Sequence, residues 1–520
     1  MARLFEYQSK DLLKKSGIPV PEGIVVSSPD EAAEAAQRLG RSVVLKAQVW
    51  ATGRAEKGGI QFADSPEEAH KEAREMLEIR ISGLRIEKIL VEEKIDIRSE
   101  YFAGLVIDDA EKCPVMVFST MGGTGIEEIA QKHPDKITRT SVDVEKGFRE
   151  FEARDLIRKT GLSGKTLTRV SRILAKFYQV SQKYDARSAE MNPLVLAKDG
   201  SVYAADCHFV VDDYAVFRHP DLGIEVAREF DRPPTELEKI AYLVEKNDHR
   251  GTFYFFQMMD EVGEKENALG FNGAGGGGSM MSMDAVLDQG FKLANYCDTS
   301  GNPSAAKVYR AAKIILSQPH IKGYFASGSG VASQEQFHSA RGLVKAFFEE
   351  RIEIPAVLRL GGNYEDLAMD ILHKYLKDIP GEVEGYGRDN APEFCAQRMK
   401  TLITENQFLP HKVRPIKEPE TKEDVYSFKT PTGEIFIQHD QCRTCATQGC
   451  IKACAQNILK LEQDKPILSI SREEAEKGKC TECLACEIYC RFHEQDAINI
   501  HLPIPGLKEY REKVIKKQKK

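Results

Sequence analysis

The sequence predicts a multidomain chain of α/β and α+β domains that ends in a small cysteine-rich domain. Eight of the twelve cysteines lie between Cys442 and Cys490. Residues 235–403 repeat an apolar strand, a glycine-rich turn and a helix at intervals of roughly 30 residues, which is typical of a doubly wound parallel sheet. The preceding residues mix strand and helix signals, so the 520 residues divide into about three domains.

The N-terminal stretch carries clear signals for helices and strands. Ser28 and Ser65 each stand before Pro and Glu in a capping-box pattern, which predicts a helix after each, and Gly40 is expected to end the first helix. Apolar runs predict strands, which are expected over residues 42–47, 89–93, 101–107 and 115–118.

Lys46 lies near the end of the first of these strands and precedes a glycine-rich stretch that contains Gly53 and Arg54. A cation at a strand end followed by a glycine loop suits a phosphate site, because backbone N–H groups and the ammonium group then surround the anion. Taken alone, the same pattern also fits the solvated end of a strand.

A second polar group occurs near residue 200. Glu190 and Asn192 are two residues apart in a predicted strand, so they face the same side. Asp206 follows on a neighbouring strand and would complete an oxygen site for Mg²⁺, which takes few protein ligands and binds nucleotide phosphates as well. The alternative interpretation is a set of polar residues at the exposed edge of a hairpin.

Residues 235–403 form the predicted doubly wound domain. Strands are expected over residues 268–272, 292–297, 321–326 and 355–360, each followed by a glycine-rich turn. In such sheets the turns align at the carboxyl ends of the strands, which is the edge where ligands bind.

The C-terminal cysteines form two runs, Cys442-x2-Cys445-x4-Cys450-x3-Cys454 and Cys480-x2-Cys483-x2-Cys486-x3-Cys490. Four closely spaced thiolates can hold an iron–sulfur cluster, and in two-cluster ferredoxins the fourth cysteine of each run ligates the other cluster. We therefore predict a ferredoxin-like domain over residues 433–505 with two [4Fe–4S] clusters. The first set is Cys442, Cys445, Cys450 and Cys490, and the second set is Cys480, Cys483, Cys486 and Cys454. Two zinc sites are the alternative, although two runs of four cysteines favour clusters.

Several motifs of the first 400 residues occur together in one order. They are Glu6-Tyr7-Gln8, Lys46, the Gly53-Arg54 and Gly58-Gly59 loop, Val91-Glu92, Ser119-Thr120 with Gly122-Gly123, and Glu190-Met-Asn-Pro-Leu. The series resembles the β subunit of succinyl-CoA synthetase, a family with an ATP-grasp fold. The resemblance implies an ATP-grasp nucleotide-binding domain over residues 1–230 and a flavodoxin-like CoA-ligase domain over residues 235–403. Residues 404–432 then read as a linker and residues 506–520 as a basic, solvated tail.

The resemblance also implies roles for the nucleotide-site residues. Lys46, Gly53 and Arg54 correspond to elements that grip the phosphates of ATP (or GTP). Glu92 and Glu100 correspond to contacts with the base and the ribose.

Four further residues correspond to functional positions of the family. Asn192 and Asp206 match the Mg²⁺ ligands, and Glu190 matches a glutamate that approaches the phosphorylated histidine. Asn272 opens a turn that meets substrate and partner subunit in the family. The neighbouring glycine turns depart from the family pattern, so the resemblance leaves the acid substrate open.

The family's chemistry requires parts that this chain lacks. In the family, a phosphoryl group passes from the nucleotide to a histidine and then to a carboxylic acid, which CoA captures as a thioester. That histidine lies in a Gly-His-Ala-Gly motif of the α subunit, which also holds CoA. None of the twelve histidines here has that context. We therefore expect a separate α-type, CoA-binding partner subunit that carries the phosphohistidine, and a small carboxylic acid as substrate.

Composition argues against other classes of protein. The net charge is −7 and no long basic block precedes the tail, so a nucleic-acid partner is not expected. No run reaches the roughly 18 apolar residues of a membrane span. The N-terminus lacks an apolar signal core and the scattered cysteines suit reduced thiols, so we expect a cytoplasmic protein. Oxygen-sensitive clusters would suit an anaerobe.

Three hypotheses for function follow. In the first, the chain is the nucleotide-binding subunit of an ADP-forming acyl-CoA synthetase, and its clusters exchange electrons with a redox enzyme or an electron carrier. In the second, it is an ATP-gated electron-transfer subunit that has lost CoA-ligase chemistry. In the third, the clusters only stabilise the assembly.

Overall fold

The computed structural model describes residues 2–51, 53–123, 131–224, 232–248, 252–259, 261–328, 330, 332–405, 408–417 and 425–518. The chain divides into two compact units, residues 1–233 and 234–520. The division falls between two consecutive prolines, which lack the N–H groups that a continuous strand or helix needs.

The first unit combines antiparallel strands with helices. The strands are β1 (Ala2–Arg3), β2 (Gly23–Val26), β3 (Val43–Ala47), β4 (Ile60–Ala63), β5 (Arg80–Ile81), β6 (Leu84–Arg85), β7 (Ile89–Glu93), β8 (Ile97–Asp108), β9 (Cys113–Ser119), β10 (Ile137–Ser141), β11 (Ala186–Ala197), β12 (Val202–Ala204) and β13 (His208–Val211). The helices are α1 (Glu6–Lys15), α2 (Pro29–Leu39), α3 (Pro66–Glu78), α4 (Glu150–Arg158) and α5 (Gly164–Lys183).

These strands form a large and a small sheet. The large sheet has the order β1-β13-β11-β8-β9-β10, with β12 beside β11, and the small sheet has the order β2-β7-β3-β4. One hydrophobic core lies between the large sheet and α1, α4 and α5, and a second lies between the small sheet and α2 and α3. The elements predicted for the first 120 residues are confirmed as secondary structure.

The cap of α2 shows how local sequence determines these elements. Ser28 Oγ accepts a hydrogen bond from Glu31 N at 3.3 Å, which begins the helix. Gly40 ends it at φ 64°, a left-handed conformation that glycine adopts without a steric penalty.

The second unit contains a mostly parallel sheet with helices, followed by smaller sheets. The strands are β14 (Tyr254–Gln257), β15 (Ala268–Ala274), β16 (Lys292–Leu293), β17 (Asn295–Asp298), β18 (Gly323–Gly328), β19 (Ala332–Glu335), β20 (Ala356–Arg359), β21 (Gly362–Asn363), β22 (Val383–Tyr386), β23 (Val425–Lys429), β24 (Glu434–Gln438), β25 (Leu459–Glu462), β26 (Lys465–Leu468) and β27 (Ile498–His501). The helices are α6 (Glu236–Asn247), α7 (Gly276–Asp288), α8 (Ala305–Ile315), α9 (Phe337–Glu350), α10 (Glu365–Leu376), α11 (Pro392–Glu405), α12 (His439–Cys442), α13 (Gly449–Lys452), α14 (Arg472–Glu474), α15 (Ala485–His493) and α16 (Leu507–Gln518).

The large sheet of this unit has the order β14-β17-β15-β18-β20-β22, with β16 beside β15. β15, β18, β20 and β22 pair in parallel, whereas β14 runs antiparallel to β17. The strand pattern predicted from the sequence is therefore confirmed as a mostly parallel α/β sheet.

The cysteine-rich stretch packs against this α/β layer. β24 pairs with β23 and β27, and β25 and β26 form a hairpin. A single hydrophobic core includes Leu343 and Phe347 of α9 together with Ile498 and Ile500 of β27. β23 lies within residues 404–432, the predicted linker. Its residues pair with β24, so this part of the stretch belongs to a sheet.

The basic tail differs from the solvated segment that composition suggests. It forms α16, in which Arg511 is 1% exposed. The Arg511 guanidinium lies 2.8 Å from Glu350 Oε1 and donates to Lys313 O and Ser317 Oγ, each at 2.7 Å. A carboxylate, a backbone carbonyl and a hydroxyl group thus hold the tail on α8 and α9. No helix among the described residues combines the length and apolar character needed to span a bilayer.

Candidate functional site

The glycine-rich loop between β3 and β4 closes tightly beside Lys46. Gly59 N donates to Arg54 O at 2.7 Å, and Ala47 N donates to Gly59 O at 2.8 Å. A Cβ atom at Gly59 would lie 2.5 Å from Ile81 Cδ1 and 3.0 Å from Arg54 O, so a side chain there would force its neighbours to move. Gly53 has φ 64°, a left-handed conformation that glycine adopts without a steric penalty. The loop geometry holds Arg54 next to β3.

Lys46 is part of a buried charge network that joins the small sheet to α1. Its ammonium lies 2.8 Å from Glu6 Oε1 and 3.1 Å from Glu92 Oε2, and it donates to Ala205 O. Lys10 contacts the same two carboxylates, at 2.8 Å from Glu6 Oε1 and 2.6 Å from Glu92 Oε1. Two ammonium groups and two carboxylates therefore hold each other in place.

Arg54 connects this network to Asp206. Arg54 Nη2 lies 2.8 Å from Glu6 Oε2 and 2.7 Å from Asp206 Oδ2, and Nη1 donates to Ala47 O at 2.9 Å. The structure thus brings together three residues predicted for the site, Lys46, Arg54 and Asp206. It places Glu92 in buried ion pairs with Lys10 and Lys46, and its predicted contact with the nucleotide base or ribose stays a prediction.

The network shifts the pKa values of its members. Burial opposes ionisation of Glu6, but Lys10, Lys46 and Arg54 together outweigh it and hold the pKa of Glu6 well below its ordinary 4.5. Burial likewise opposes the charge of Lys46, but Glu6, Glu92 and Asp206 outweigh it and raise its pKa. These groups are therefore charged at neutral pH.

Acid is expected to destabilise the network. Because the folded pKa of Glu6 lies below 4.5, its ion pairs contribute stability that is fully present above pH 4.5 and is lost as the pH falls through the folded pKa. Trp50 is the only tryptophan, and its ring centre lies 5.7 Å from that of Phe5. Its fluorescence should report unfolding at lower urea concentrations as the pH is lowered. Glu6→Gln should be less stable at neutral pH and less sensitive to acid. Equal acid sensitivity of the two proteins would contradict this prediction.

A second polar group surrounds Asn192 on β11. Asn192 Oδ1 accepts a hydrogen bond from Gly123 N at 2.8 Å. A Cβ atom at Gly123, which has φ 81°, would lie 2.6 Å from Glu100 Oε2, so Glu100 lies against the same turn. Asn192 N donates to Asp206 O at 3.3 Å, which makes Asp206 the link between the two groups. Glu190 of β11 lies opposite His208 of the neighbouring strand β13 in the register of the same sheet.

The oxygen atoms near Asp206 fit a divalent cation. Among the described residues, buried Asp206 Oδ1 has no hydrogen-bond partner, and His208 Nε2 is 3.9 Å away. A buried carboxylate oxygen without a donor calls for a partner such as a bound ion or an ordered water. The described chain contains no group of three or more His, Cys, Asp and Glu side chains placed to hold one metal ion. This does not conflict with Mg²⁺, which binds through one or two protein oxygens plus phosphates.

Asp206→Asn is expected to raise the Mg²⁺ concentration needed for half-maximal ATP binding by at least about tenfold, a free-energy change of about 1.4 kcal/mol. The substitution keeps the side-chain size but removes the charge on the unpartnered oxygen. Calorimetric titration with ATP at several Mg²⁺ concentrations measures the effect. Asp199→Asn is the matched control, because Asp199 is exposed in the turn after β11 and bonds to Ser201. The same Mg²⁺ dependence in both variants would exclude Asp206 as a ligand.

Asn272 belongs to the second unit. It is buried in β15, and its Nδ2 donates to Tyr324 Oη at 2.9 Å. Its amide is thus directed to a neighbouring strand of the parallel sheet, and its predicted role in ligand binding stays a prediction.

The first set of cysteines surrounds one cavity. Cys442, Cys445, Cys450 and Cys490 line it together. Burial and then the neighbouring thiols Cys490 and Cys445 raise the pKa of Cys442 to about 11. Ala497 N donates to Cys490 Sγ at 3.2 Å. Backbone N–H bonds to sulfur are a feature of iron–sulfur sites.

Cys454 of the first run interacts electrostatically with Cys480 and Cys486 of the second run. Burial raises the pKa of Cys480 to about 12, and Cys483 and Cys454 act on the same thiol. Burial, followed by Cys483, Cys480 and Cys454, raises the pKa of Cys486 well above its ordinary value. The described residues contain no group of three or more Cys, His, Asp and Glu placed to hold one metal ion, so the two clusters stay a prediction from the cysteine spacing.

Two structural features bring the two runs close to each other. Tyr489 of α15 lies over Gly449 of α13, where a Cβ atom would approach the ring to 1.8 Å, so glycine allows the helices to pack. Glu482 and Leu484 have φ values of 51° and 62° and bend the chain around Cys483. Such left-handed bends direct several N–H groups to one side, as at many iron–sulfur sites.

Sequence reasoning did not identify two members of the buried charge network around Lys46. Glu6 belonged to a recognised motif without an assigned role, and Lys10 was not singled out. Their spacing of four residues in α1 could have indicated an ion pair on one helix face, and Leu13 is buried on that same face.

Comparisons with known proteins divide the chain into two matched regions. Residues 3–196 match the family described as ATP-grasp domain. Residues 264–389 match the family described as ATP citrate lyase citrate-binding.

Individual relatives match over a longer stretch. The β subunit of GDP-forming succinate–CoA ligase from Thermus thermophilus is 38% identical over 369 residues, which cover 71% of this chain and 93% of that subunit. The β subunit of ADP-forming succinate–CoA ligase from Methanocaldococcus jannaschii is 34% identical over 386 residues, covering 74% and 98%. The solved ATP citrate lyase of Methanothrix soehngenii superposes with a TM-score of 0.61 at 18% identity and covers 77% of this chain and 99% of that chain, which indicates a shared fold.

Proposed function

This chain belongs to the family of succinate–CoA ligase β subunits, and from that premise we propose that it is the nucleotide-binding subunit of an ADP- or GDP-forming acyl-CoA synthetase. The proposed reaction converts a carboxylic acid, CoA and ATP (or GTP) to acyl-CoA, the nucleoside diphosphate and phosphate. The observation that carries the proposal is the fixed group of Lys46, Arg54 and Asp206, in which one buried carboxylate oxygen has no partner among the described residues.

The chemistry of this group suits phosphoryl transfer. Glu6 and Glu92 hold Lys46 in position, and Glu6 also holds Arg54. Cations that are already oriented stabilise the charge on a transferring phosphoryl group without having to reorganise. A bound Mg²⁺ would neutralise phosphate charge, and Asp206 and Asn192 are the residues that would hold it.

The proposal includes a partner subunit. A separate α-type subunit would supply the phosphohistidine and bind CoA, and Glu190 of this chain would approach that histidine. The substrate is proposed to be a small carboxylic acid. Succinate and citrate are the first to test, because the names of the relatives and of the second matched family mention them.

We further propose that the C-terminal cysteines hold two [4Fe–4S] clusters that transfer electrons. The support is that Cys442, Cys445 and Cys450 of the first run line one cavity with Cys490 of the second run, as the ferredoxin spacing predicts. When bound, the clusters would supply one-electron redox chemistry next to the CoA-ligase-type sheet. A redox enzyme or an electron carrier would then be a further partner.

The experiment that tests the proposal is anaerobic copurification of the full chain with its partner from the native host. We expect a partner with a Gly-His-Ala-Gly motif, iron in the complex, and formation of ADP or GDP that requires both an acid and CoA. Nucleotide hydrolysis that depends on reduction and needs no acid would favour the ATP-gated electron-transfer function instead. Full activity after loss of the iron would favour clusters that only stabilise the assembly.

A further inference from the structure

His208 lies beside the unpartnered oxygen of Asp206. Its Nε2 atom is 3.9 Å from Asp206 Oδ1, and the two side chains are 19% and 14% exposed. This distance is too long for a direct hydrogen bond, and Asp206 Oδ1 forms none with any other described residue. Two atoms that bind one cation can be up to about 4.2 Å apart, since each lies about 2.1 Å from the ion. The two atoms therefore have a spacing that a single cation can bridge.

The fold places His208 on the same side of the sheet as the other polar residues of the site. Cys207, which separates Asp206 from His208, is fully buried in the core, so its two neighbours point away from the core. Glu190 lies directly opposite His208 in the register of β11 and β13, and opposite residues share a face. Asn192 follows two residues after Glu190 in β11, on that same face. Carboxylate, amide and imidazole groups thus lie on one face of the sheet.

The contacts of these residues are compatible with metal binding. Arg54 Nη2 lies 2.7 Å from Asp206 Oδ2, so it engages the oxygen that is not the one near His208. An amide oxygen has two lone pairs, so Asn192 Oδ1 can bind a cation while it accepts from Gly123 N at 2.8 Å. A set of Asp206, Asn192 and His208 contains only two His, Cys, Asp or Glu side chains. It is therefore consistent with the lack of larger groups of this kind in the described part of the chain.

The charge network next to this site is balanced. Its ion pairs join three cations to three carboxylates, and the members are Lys10, Lys46, Arg54, Glu6, Glu92 and Asp206. A divalent cation would add positive charge, which needs anions close by where solvent access is limited. Nucleotide phosphates are such anions, and protein carboxylates commonly bind a divalent cation together with them. Metal binding at His208 is therefore expected to depend on the nucleotide.

We propose that His208 is a ligand of the nucleotide-site cation and that the site consequently prefers Mn²⁺ to Mg²⁺, an inference that rests on the proposed nucleotide-binding function. Mg²⁺ selects oxygen ligands, whereas imidazole nitrogen binds transition-metal ions. Mn²⁺ accepts oxygen ligands as well, so a set of carboxylate, amide and imidazole suits it. The nucleotide complex of this chain would then contain a divalent transition-metal ion.

The direct test detects nitrogen bound to the metal in the unmodified protein. The full chain is produced with ¹⁵N-labelled histidine, purified anaerobically and combined with Mn²⁺ and a non-hydrolysable ATP analogue. Electron spin-echo envelope modulation then records the nuclei next to Mn²⁺, and the label separates histidine nitrogen from that of adenine. We expect a ¹⁵N coupling in the unmodified protein and none in His208→Gln. A spectrum of the unmodified protein without histidine nitrogen would overturn the inference.

Calorimetry supplies a second readout. The affinity for the analogue is measured with saturating Mn²⁺ and with saturating Mg²⁺, and the ratio is compared between variants, which cancels the nucleotide's own metal preference. His208→Gln keeps a similar side-chain length but offers an amide oxygen in place of the ring nitrogen. We expect the preference for Mn²⁺ to fall at least about tenfold, since even residues that only support a metal ligand change the affinity by that much. Equal losses with both metals, as a purely structural role would cause, would contradict the inference.

His219→Gln is the matched control. His219 Nε2 lies 2.7 Å from Asp185 Oδ2, and Arg218 contacts the same carboxylate, so this imidazole already has its partner. The variant should leave both the spectrum and the ratio unchanged. Absence of nucleotide binding with either metal would overturn the proposed function and the inference together. Nucleotide binding that needs a divalent cation but shows no histidine nitrogen would overturn the inference alone.

Discussion

Lys46→Met is expected to lower the affinity for Mg²⁺·ATP by at least about tenfold, which corresponds to about 1.4 kcal/mol. Glu6 and Glu92 hold the Lys46 ammonium at 2.8 Å and 3.1 Å, so it does not lose side-chain freedom when a phosphate binds. An ammonium group fixed in this way contributes more to binding than a mobile surface lysine does. Methionine keeps the length and the apolar stem but removes the charge. Isothermal titration calorimetry of the full chain measures the effect.

Lys10 provides a matched control for this prediction. It contacts the same two carboxylates and donates to Ala205 O at 2.6 Å, as Lys46 also does. Lys10→Met and Lys46→Met should lower the free energy of unfolding by similar amounts. The loss should stay below the about 3–5 kcal/mol of a fully broken buried pair, because each carboxylate keeps another cation. Only Lys46→Met should weaken nucleotide binding. Equal losses of affinity would contradict a direct role for Lys46.

Local signals in the sequence were sufficient to predict the elements that position the site. The capping box at Ser28 and the glycine at residue 40 determine α2 through contacts within a few residues. The alternation of strands and glycine turns predicted the parallel sheet, because each βαβ unit has its own local pattern. Asn192 and Asp206 could be expected to be neighbours, since they flank a short hairpin, and their backbones are bonded at 3.3 Å.

The buried ion pairs could not be predicted in this way. Lys345 and Glu487 are 142 residues apart in sequence, and Lys10 and Glu92 are 82 apart, so no local pattern connects them. Lysine and glutamate are rarely buried, and a sequence pattern therefore assigns them to solvent. The same rule explains why Arg511 was predicted to be solvated although it is buried against Glu350. Ion pairs between residues that are distant in sequence can be predicted only when the topology of the fold is known.

Cys454→Ser is expected to remove half of the iron bound by the chain. Cys454 belongs to the first run in sequence, yet Cys480 and Cys486 of the second run are the thiols that interact with it. Its loss should therefore affect the same cluster as Cys483→Ser. Metal analysis and electron paramagnetic resonance of anaerobically purified full-length variants measure this. Cys113→Ser, in β9 of the first unit, is the control and should keep all of the iron.

Double variants show whether two cysteines serve one cluster, because losses at a shared site do not add. Cys454→Ser combined with Cys483→Ser should lose no more iron than either single variant, since both remove ligands of the second set. Cys454→Ser combined with Cys445→Ser should lose nearly all of it, since each set then lacks a ligand. The opposite result, with Cys454 and Cys445 acting as one site, would mean that each run binds its own cluster. Cys490 would then belong to the second cluster, and the crossed arrangement of thiols around α13 and α15 would be wrong.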